Sequence, residues 1–197
     1  MTESYQREQF EQLVLPHMDA AYNLARWLVR NPHDAEDLAQ EAMTRAIKFF
    51  IGFRGGDARA WLLTIVRNTC FTWLGRNRAK DIAEFDEEAH SPGISSYGNQ
   101  SSVQSGIQAP ANPEAMAVAA SESALLRHVL GELPVIFRET VVMRELEGMS
   151  YKEIAEVTDV SIGTVMSRLA RGRDRLRALL LEPSVRAHAA QQGDPIP

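Results

Sequence analysis

The sequence predicts an all-α protein made of two small helical domains joined by a flexible linker. Apolar residues recur at helical intervals on both sides of the middle of the chain, and no stretch shows the alternation of a β-strand. Helix-start signals support this, as in Asn112 followed by Pro113 and Ser150 followed three positions later by Glu153. Residues 83–112 are instead rich in Ser, Gly, Gln, Asn and Pro. Such a stretch buries too little apolar surface to offset the entropy cost of ordering it.

The composition predicts a soluble cytoplasmic protein without membrane insertion. A chain of 197 residues with 45% hydrophobic and 24% charged residues is typical of globular domains and long enough for two small ones. Cys70 is the only cysteine, which excludes an internal disulfide, and its apolar neighbours favour a packing role. The N-terminus lacks the features of a signal peptide, and the longest apolar runs are far shorter than a bilayer span.

The same composition sets the expected domain boundaries. We expect an N-terminal domain at residues 1–82, a linker at 83–112, a C-terminal domain at 113–183 and a tail at 184–197. A linker of this composition is expected to leave the distance between the two domains unset. No function is assigned to the tail.

Charge is distributed unevenly along the chain. The net charge is −5, and residues 82–132 hold seven acidic residues against one basic residue, Arg127. Two basic clusters lie outside this stretch, from Arg54 to Lys80 and from Arg168 to Arg177. An acidic protein can therefore present local cationic surfaces, and the location of the charge indicates more about partners than its sum does.

The C-terminal domain is predicted to contain a helix-turn-helix. Its helices are expected at about 112–131, 135–147, 151–157 and 162–180. Ser150 and Glu153 form a capping-box pattern at the start of the third helix. Asp159 suits a left-handed turn after that helix, and Ser161 caps the fourth. Turn, caps and apolar spacing all agree with a helix-turn-helix.

The last helix combines a core face with a cationic face. The predicted core residues are Ile162, Val165, Leu169 and Leu176. The residues predicted to point outward or to the flanks are Thr164, Ser167, Arg168, Arg171, Arg173 and Arg175. Arginine can bond guanine through two hydrogen bonds, and hydroxyls can contact bases or phosphates, so this face suits the major groove of DNA. A solvated cationic face without a partner is the alternative.

Two helices of the N-terminal domain also carry distinctive faces. In the first, residues 34–50, the predicted core stripe is Leu38, Ala42, Ala46 and Phe49. The polar residues lying away from that stripe are Asp37, Gln40, Glu41, Thr44 and Lys48. In the second, the predicted core stripe is Leu62, Ile65, Val66, Thr69 and Trp73, while Arg67, Asn68 and Phe71 project from other faces.

The second of these helices suits an unpaired nucleic-acid strand. An aromatic ring and an amide beside basic residues can stack on and hydrogen-bond an unstacked base. Arg76, Arg78 and Lys80 follow in the sequence and would hold phosphates. Packing against a neighbouring element explains Phe71 equally well.

The motifs resemble those of one known family. Residues 31–50, "NPHDAEDLAQEAMTRAIKFF", and residues 53–78, "FRGGDARAWLLTIVRNTCFTWLGRNR", are similar to region 2 of an extracytoplasmic-function (ECF) sigma factor of bacterial RNA polymerase. Residues 133–177 resemble region 4 of the same family. The resemblance covers about residues 10–81 and 125–180. It implies an all-α protein that binds core RNA polymerase and promoter DNA, directing promoter-specific transcription initiation at −10 and −35 elements.

The resemblance also implies roles for individual residues. The residues expected to bind the β′ coiled coil of the polymerase are Asp37, Gln40, Glu41, Thr44 and Lys48. The β subunit of the polymerase is a further expected contact. The expected −10 residues are Arg54, Arg59, Arg67, Asn68, Phe71, Arg76, Arg78 and Lys80. Asn68 matches the base-contacting position of the family, whereas Phe71 is included because of its place on the helix surface and not because of the resemblance. The expected −35 residues are Thr164, Ser167, Arg168, Arg171, Arg173 and Arg175.

Four points remain open at this level. The polar face of residues 34–50 is explained equally well, from the residues alone, by an ordinary amphipathic surface helix. The acids Asp86, Glu87 and Glu88 suit either the RNA path of the polymerase or a solubilising spacer. Met166 stands where some relatives have a basic residue, so the base preference at the −35 element is left open. The resemblance does not decide whether an anti-sigma factor is a further partner.

Other classes of function find little support. The sequence shows no nucleophile–base arrangement, no phosphate-binding loop and no metal-ligand spacing among its five histidines, so we expect neither an enzyme nor a metal or cofactor site. The main alternative is a free-standing helix-turn-helix repressor or activator. That alternative requires a dimerisation element and a sensor domain, and the sequence indicates neither.

Overall fold

The computed structural model describes residues 3–77 and 124–181, and within these ranges it contains helices and turns but no strand. The N-terminal domain comprises α1 (Glu3–Leu13), α2 (Met18–Val29), α3 (Pro32–Phe49) and α4 (Ala58–Asn77), with 3-10 turns at Leu15–His17 and Phe50–Gly52. The C-terminal domain comprises α5 (124–131), α6 (Val135–Val141), α7 (Tyr151–Thr158) and α8 (Ile162–Leu181). The all-α prediction is confirmed. The predicted linker, the predicted helix start at Asn112 and the tail lie outside the described residues.

The predicted core stripe of α3 is correct except at its end. Leu38, Ala42 and Ala46 are buried, but Phe49 is 56% exposed. The helix gives way there to a 3-10 turn, and Phe50 points inward instead. Its ring packs edge-on against Phe10 and Trp61 and stacks on Phe53, with centroids 5.2, 6.1 and 5.7 Å away.

Helix α4 is buried on more than the one face that we predicted. Leu62, Val66 and Thr69 are buried as expected, while Ile65 and Trp73 are only partly buried. The buried set also includes Leu63, Cys70 and Leu74. Helices α2 and α3 pack on α4, and so does α7 of the other domain. Apolar residues on several sides of α4 are therefore buried.

The helix-turn-helix forms as predicted. The Ser150 amide donates to Glu153 Oε2 (2.6 Å) and the Glu153 amide donates to Ser150 Oγ (3.2 Å), which completes the capping box. Asp159 occupies the left-handed turn with φ of 54°. The Thr164 amide donates to Ser161 Oγ at 3.1 Å, so Ser161 caps α8. Local signals alone were sufficient to identify this unit.

Two expectations for this domain were wrong in detail. The helix expected at 135–147 ends as an α-helix at Val141 and continues as a π-helical turn over Val142–Leu146, in which the Glu147 amide donates to the Val142 carbonyl (3.0 Å). Ile162 is 48% exposed, because burial of α8 begins one turn later at Val165.

The two domains pack directly on each other, although we expected the linker to leave their spacing unset. Helix α7 packs on α4, and α6 packs on α2. Within the described residues no helix is long and apolar enough to cross a membrane.

Helices α6 and α8 cross closely at Gly172. This residue is buried in the middle of α8. A Cβ atom added there would lie 2.8 Å from Val141 Cγ2 and 3.5 Å from Phe137 Cβ. The first distance is too short for carbon atoms in contact, so any side chain would push α6 and α8 apart.

We predict that Gly172→Ala destabilises the protein by about 1–3 kcal/mol because it overpacks this crossing. Gly163→Ala is the matched control, since a Cβ at Gly163 in the same helix meets only Ser161 Oγ at 3.7 Å. Thermal unfolding followed by circular dichroism compares them. Equal melting temperatures would show that α6 can shift without loss.

Cys70 is fully buried, and burial, followed by the charge of Glu41, raises the pKa of its thiol to about 12. We therefore expect the native protein to resist a thiol reagent at pH 8 and to react fully in guanidinium, because the thiolate is the reactive form. An Ala178→Cys variant, exposed on α8, is the positive control. Rapid labelling of native wild-type protein would contradict the packing role.

Candidate nucleic-acid interface

The outward face of α8 is only partly as the sequence predicted. Arg171 and Arg175 are exposed. Met166, nearer the start of the helix, is 54% exposed. Thr164 and Ser167 are half-buried, and the Ser167 hydroxyl donates to the Thr164 carbonyl at 2.9 Å. The exposed polar surface of this helix therefore consists mainly of charged side chains, and Arg173, Asp174 and Arg177 also belong to it.

Arg173 and Arg168 both engage glutamates. Arg173 is half-exposed and donates to Glu145 Oε1 from Nε (3.1 Å) and Nη2 (2.5 Å), and this hydrogen bonding raises the pKa of Arg173. Arg168 was predicted to flank the outward face, which is wrong: its side chain is 12% exposed and turns inward, with Nη1 3.7 Å from Glu139 Oε1. Within the described residues its buried Nε and Nη1 have no hydrogen-bond partner.

The loop before α4 is shaped by glycine and capped by aspartate. Gly55 and Gly56 adopt φ of 87° and 101°, a region that favours glycine. Asp57 Oδ1 accepts from the amides of Arg59 (2.9 Å) and Ala60 (3.1 Å), so it caps the first turn of α4. A cleft lies beside this loop, lined by residues of the loop, by α4 and by Glu156 of α7.

Along α4, two of the predicted −10 cations are bound by the other domain. Arg67 donates to Glu139 Oε2 from Nε (2.7 Å) and to Oε1 from Nη2 (3.1 Å). Arg59 donates from Nη2 to both the carboxylate and the carbonyl of Glu147, each at 2.6 Å. We expected Arg67 to project from the surface of α4, but its side chain is only 15% exposed and is bound by Glu139 of α6.

The other members of the predicted −10 set are arranged around these two. Asn68 is exposed on α4, and Arg54 and Arg76 are exposed near its two ends. Phe71 is partly buried, with its ring 4.3 Å from the guanidinium carbon of Arg67, a cation–π contact. Arg78 and Lys80 lie outside the described residues.

Glu139 and Arg138 are functional candidates that the sequence analysis missed. Glu139 is fully buried, and this burial raises the pKa of its carboxyl above the usual value. The hydrogen bonds and charge of Arg67, together with the charge of Arg168, lower that pKa but do not cancel the effect of burial. Arg138 is 3% exposed and donates to backbone carbonyls of both domains, including Leu28 at 3.0 Å and Leu133 at 2.7 Å. The available signal was an Arg–Glu pair inside the apolar run of residues 135–143.

The polar face of α3 is exposed as predicted. Its members Asp37, Gln40, Glu41, Thr44 and Lys48 are all exposed. Thr44 Oγ1 donates to the Gln40 carbonyl at 3.0 Å, and Glu41 pairs with Arg45 on the same helix. The residues that the structure describes contain no group of three metal-ligating side chains.

Comparison with protein families matches both domains. The family model described as Sigma-70 region 2 matches residues 13–80, and the one described as Sigma-70, region 4 matches residues 123–176. These two matches cover α2–α4 and most of α5–α8, in the order expected from the sequence.

Individual relatives agree. The ECF RNA polymerase sigma factor SigE of Mycolicibacterium smegmatis is 34% identical over 180 residues, covering 89% of this chain and 63% of the relative. The RNA polymerase sigma-H factor of Pseudomonas aeruginosa is 30% identical over 176 residues, covering 85% of this chain and 83% of the relative.

Two solved structures have a similar fold. The sigma factor RpoE in complex with the anti-sigma factor NepR from Bartonella quintana matches with a TM-score of 0.62 and 25% identity, covering 88% of this chain and 97% of that one. CnrH in complex with the cytosolic domain of CnrY matches with a TM-score of 0.57 and 26% identity, covering 88% of each chain. With both sigma-70 regions in order and a helix-turn-helix in the second, the chain belongs to the sigma-70 family and, within it, to the ECF sigma factors.

Proposed function

We propose that this chain is a promoter-recognition subunit that binds core RNA polymerase and directs transcription initiation at promoters with −10 and −35 elements. The observation that carries this proposal is the presence of regions 2 and 4 on one chain, each with its own arginine-bearing helix. We infer that catalysis belongs to the polymerase, and that the protein acts in the cytoplasm. A free-standing repressor or activator has no counterpart to the region 2 match.

We assign polymerase binding to the exposed polar face of α3. Its members Asp37, Gln40, Glu41, Thr44 and Lys48 offer both hydrogen-bond acceptors and donors, on a helix whose opposite side is buried in the core. That arrangement suits a helical partner such as the β′ coiled coil, and the β subunit is a further proposed contact. Because the structural neighbour RpoE is in complex with the anti-sigma factor NepR, an anti-sigma factor is also a proposed partner.

We assign the −10 element to α4 and the loop before it. Asn68 is exposed and carries both a donor and an acceptor, so it can pair with the edge of an extruded base. Arg54 and Arg76 are exposed near the two ends of the helix, where they would hold phosphates, with Arg78 and Lys80 following.

We assign the −35 element to α8. Arg171 is exposed on the face that also carries Thr164 and Ser167 and would contact bases in the major groove. Arg173 and Arg175 lie further round and would mainly hold phosphates. Arg168 turns inward towards Glu139. It could contact a base only after its side chain has moved away from Glu139.

Asn68→Ala is expected to impair formation of the open complex while leaving polymerase binding intact, because the amide pairs with an extruded base and not with protein. Permanganate footprinting of thymines on a linear promoter measures the opening. The matched control is Asn23→Ala, which removes an exposed amide from α2. Unchanged thymine reactivity in the Asn68 variant would exclude this role.

Arg171→Ala is expected to cost about 1–3 kcal/mol on the cognate −35 element and to relax discrimination at one base pair, since a base contact is lost. Arg175→Ala is expected to weaken all sequences alike and to lower the salt slope by about one. Transcription by the holoenzyme from a library randomised across the −35 element compares the two. If Arg171→Ala weakens every promoter equally, Arg171 holds a phosphate and the assignment of this face is wrong.

A further inference from the structure

Among the residues that the structure describes, the ion pairs that join the two domains have the same polarity. Those present in the described ranges are Arg30–Glu132 (3.6 Å), Arg59–Glu147 (2.6 Å) and Arg67–Glu139 (2.7 Å). In each, the arginine belongs to the N-terminal domain and the glutamate to the C-terminal domain. In these three pairs the C-terminal domain supplies the carboxylate, while its Arg138 donates to backbone carbonyls of α2 at the same interface.

Two of these arginines belong to the proposed −10 surface. The Arg59 and Arg67 side chains are only 26% and 15% exposed in this arrangement. Glu139 accepts two hydrogen bonds from the fork of Arg67, which is the geometry that arginine also offers to a phosphate. Each carboxylate thus occupies guanidinium donors that a phosphate could otherwise bond.

Packing adds a steric component to this competition. Helix α7 lies on α4, and Glu156 of α7 lines the cleft beside the loop that precedes α4. A strand following α4 from that loop would meet both the helix and a third carboxylate. By contrast, Arg171 and Arg175 on α8 stay exposed, so the −35 face is not covered in the same way.

We propose that the C-terminal domain masks the −10 surface of its own chain, with Glu139 and Glu147 standing in for the phosphates that bind Arg67 and Arg59. The packed arrangement and −10 strand binding then exclude each other. Binding of single-stranded DNA requires separation of the domains, and the apparent affinity of the free chain falls in proportion to the fraction that is open. This inference rests on the proposed −10 role of Arg59 and Arg67.

The experiment uses full-length variants in which one carboxylate becomes an amide. Glu139→Gln removes the negative charge opposite Arg67 and replaces one of its two acceptor oxygens by an NH2 donor. Glu147→Gln makes the same change opposite Arg59, at a side chain that is slightly less buried, 9% exposed against 0% for Glu139. Glu145→Gln is the matched control: it removes the same charge two residues from Glu147, but its partner Arg173 lies within the C-terminal domain.

Two quantities are measured for each variant. The first is the affinity for a fluorescein-labelled 12-nucleotide single strand of mixed sequence, by fluorescence anisotropy at low salt. The second is the distance between spin labels at Gln12 on α1 and Ala178 on α8, both exposed, in a Cys70→Ala background. Thermal unfolding confirms that each variant is folded.

We expect Glu139→Gln and Glu147→Gln to tighten strand binding roughly fivefold or more relative to Glu145→Gln, and to lengthen and broaden the spin-label distance. Distances that stay at the wild-type value in both variants would overturn the inference and leave the −10 assignment untouched. A longer spin-label distance, together with a strand affinity equal to that of the Glu145 variant, would overturn masking. It would show that Arg59 and Arg67 do not bind the −10 strand even when the domains separate.

Discussion

The buried carboxylate of Glu139 is the constraint on which the packing of the two domains depends. It is fully enclosed, and the cost of burying this acidic group is offset because Arg67 bonds both its oxygens and Arg168 lies 3.7 Å away. These partners come from α4 of one domain and α8 of the other. If the domains part, the carboxylate loses Arg67, so the ionic contact and the apolar contact between α7 and α4 form or break together.

Arg138, adjacent in sequence, reinforces the same contact by a different route. It donates to the carbonyls of Trp27 and Leu28 at the end of α2, and to Leu130, Gly131 and Leu133 in its own domain. Carbonyls at helix ends have no partner within their own helix and carry partial negative charge, so they are suitable acceptors for a buried guanidinium. The pair Arg138–Glu139 thus anchors α6 to both sides of the N-terminal domain.

Local sequence signals predicted the helices and their caps well, but not which side chains of different helices contact one another. The capping box at Ser150, the left-handed Asp159 and the stripe of α3 follow from neighbouring residues, and the structure agrees with them. Arg67 and Arg168 were given the correct helices, but helical periodicity does not specify what lies opposite a face. Their common partner Glu139 is 72 residues from Arg67, and only the tertiary arrangement brings them together.

The π-helical turn after α6 sets the rotational phase between the two glutamates that face α4. In an unbroken α-helix, Glu147 would lie roughly 80° round the axis from Glu139, because eight residues exceed two turns. A π turn takes more residues per revolution and brings the later residue back towards the earlier one. One wide turn therefore lets a single helical segment direct both carboxylates to the same neighbour, where a regular helix would direct only one.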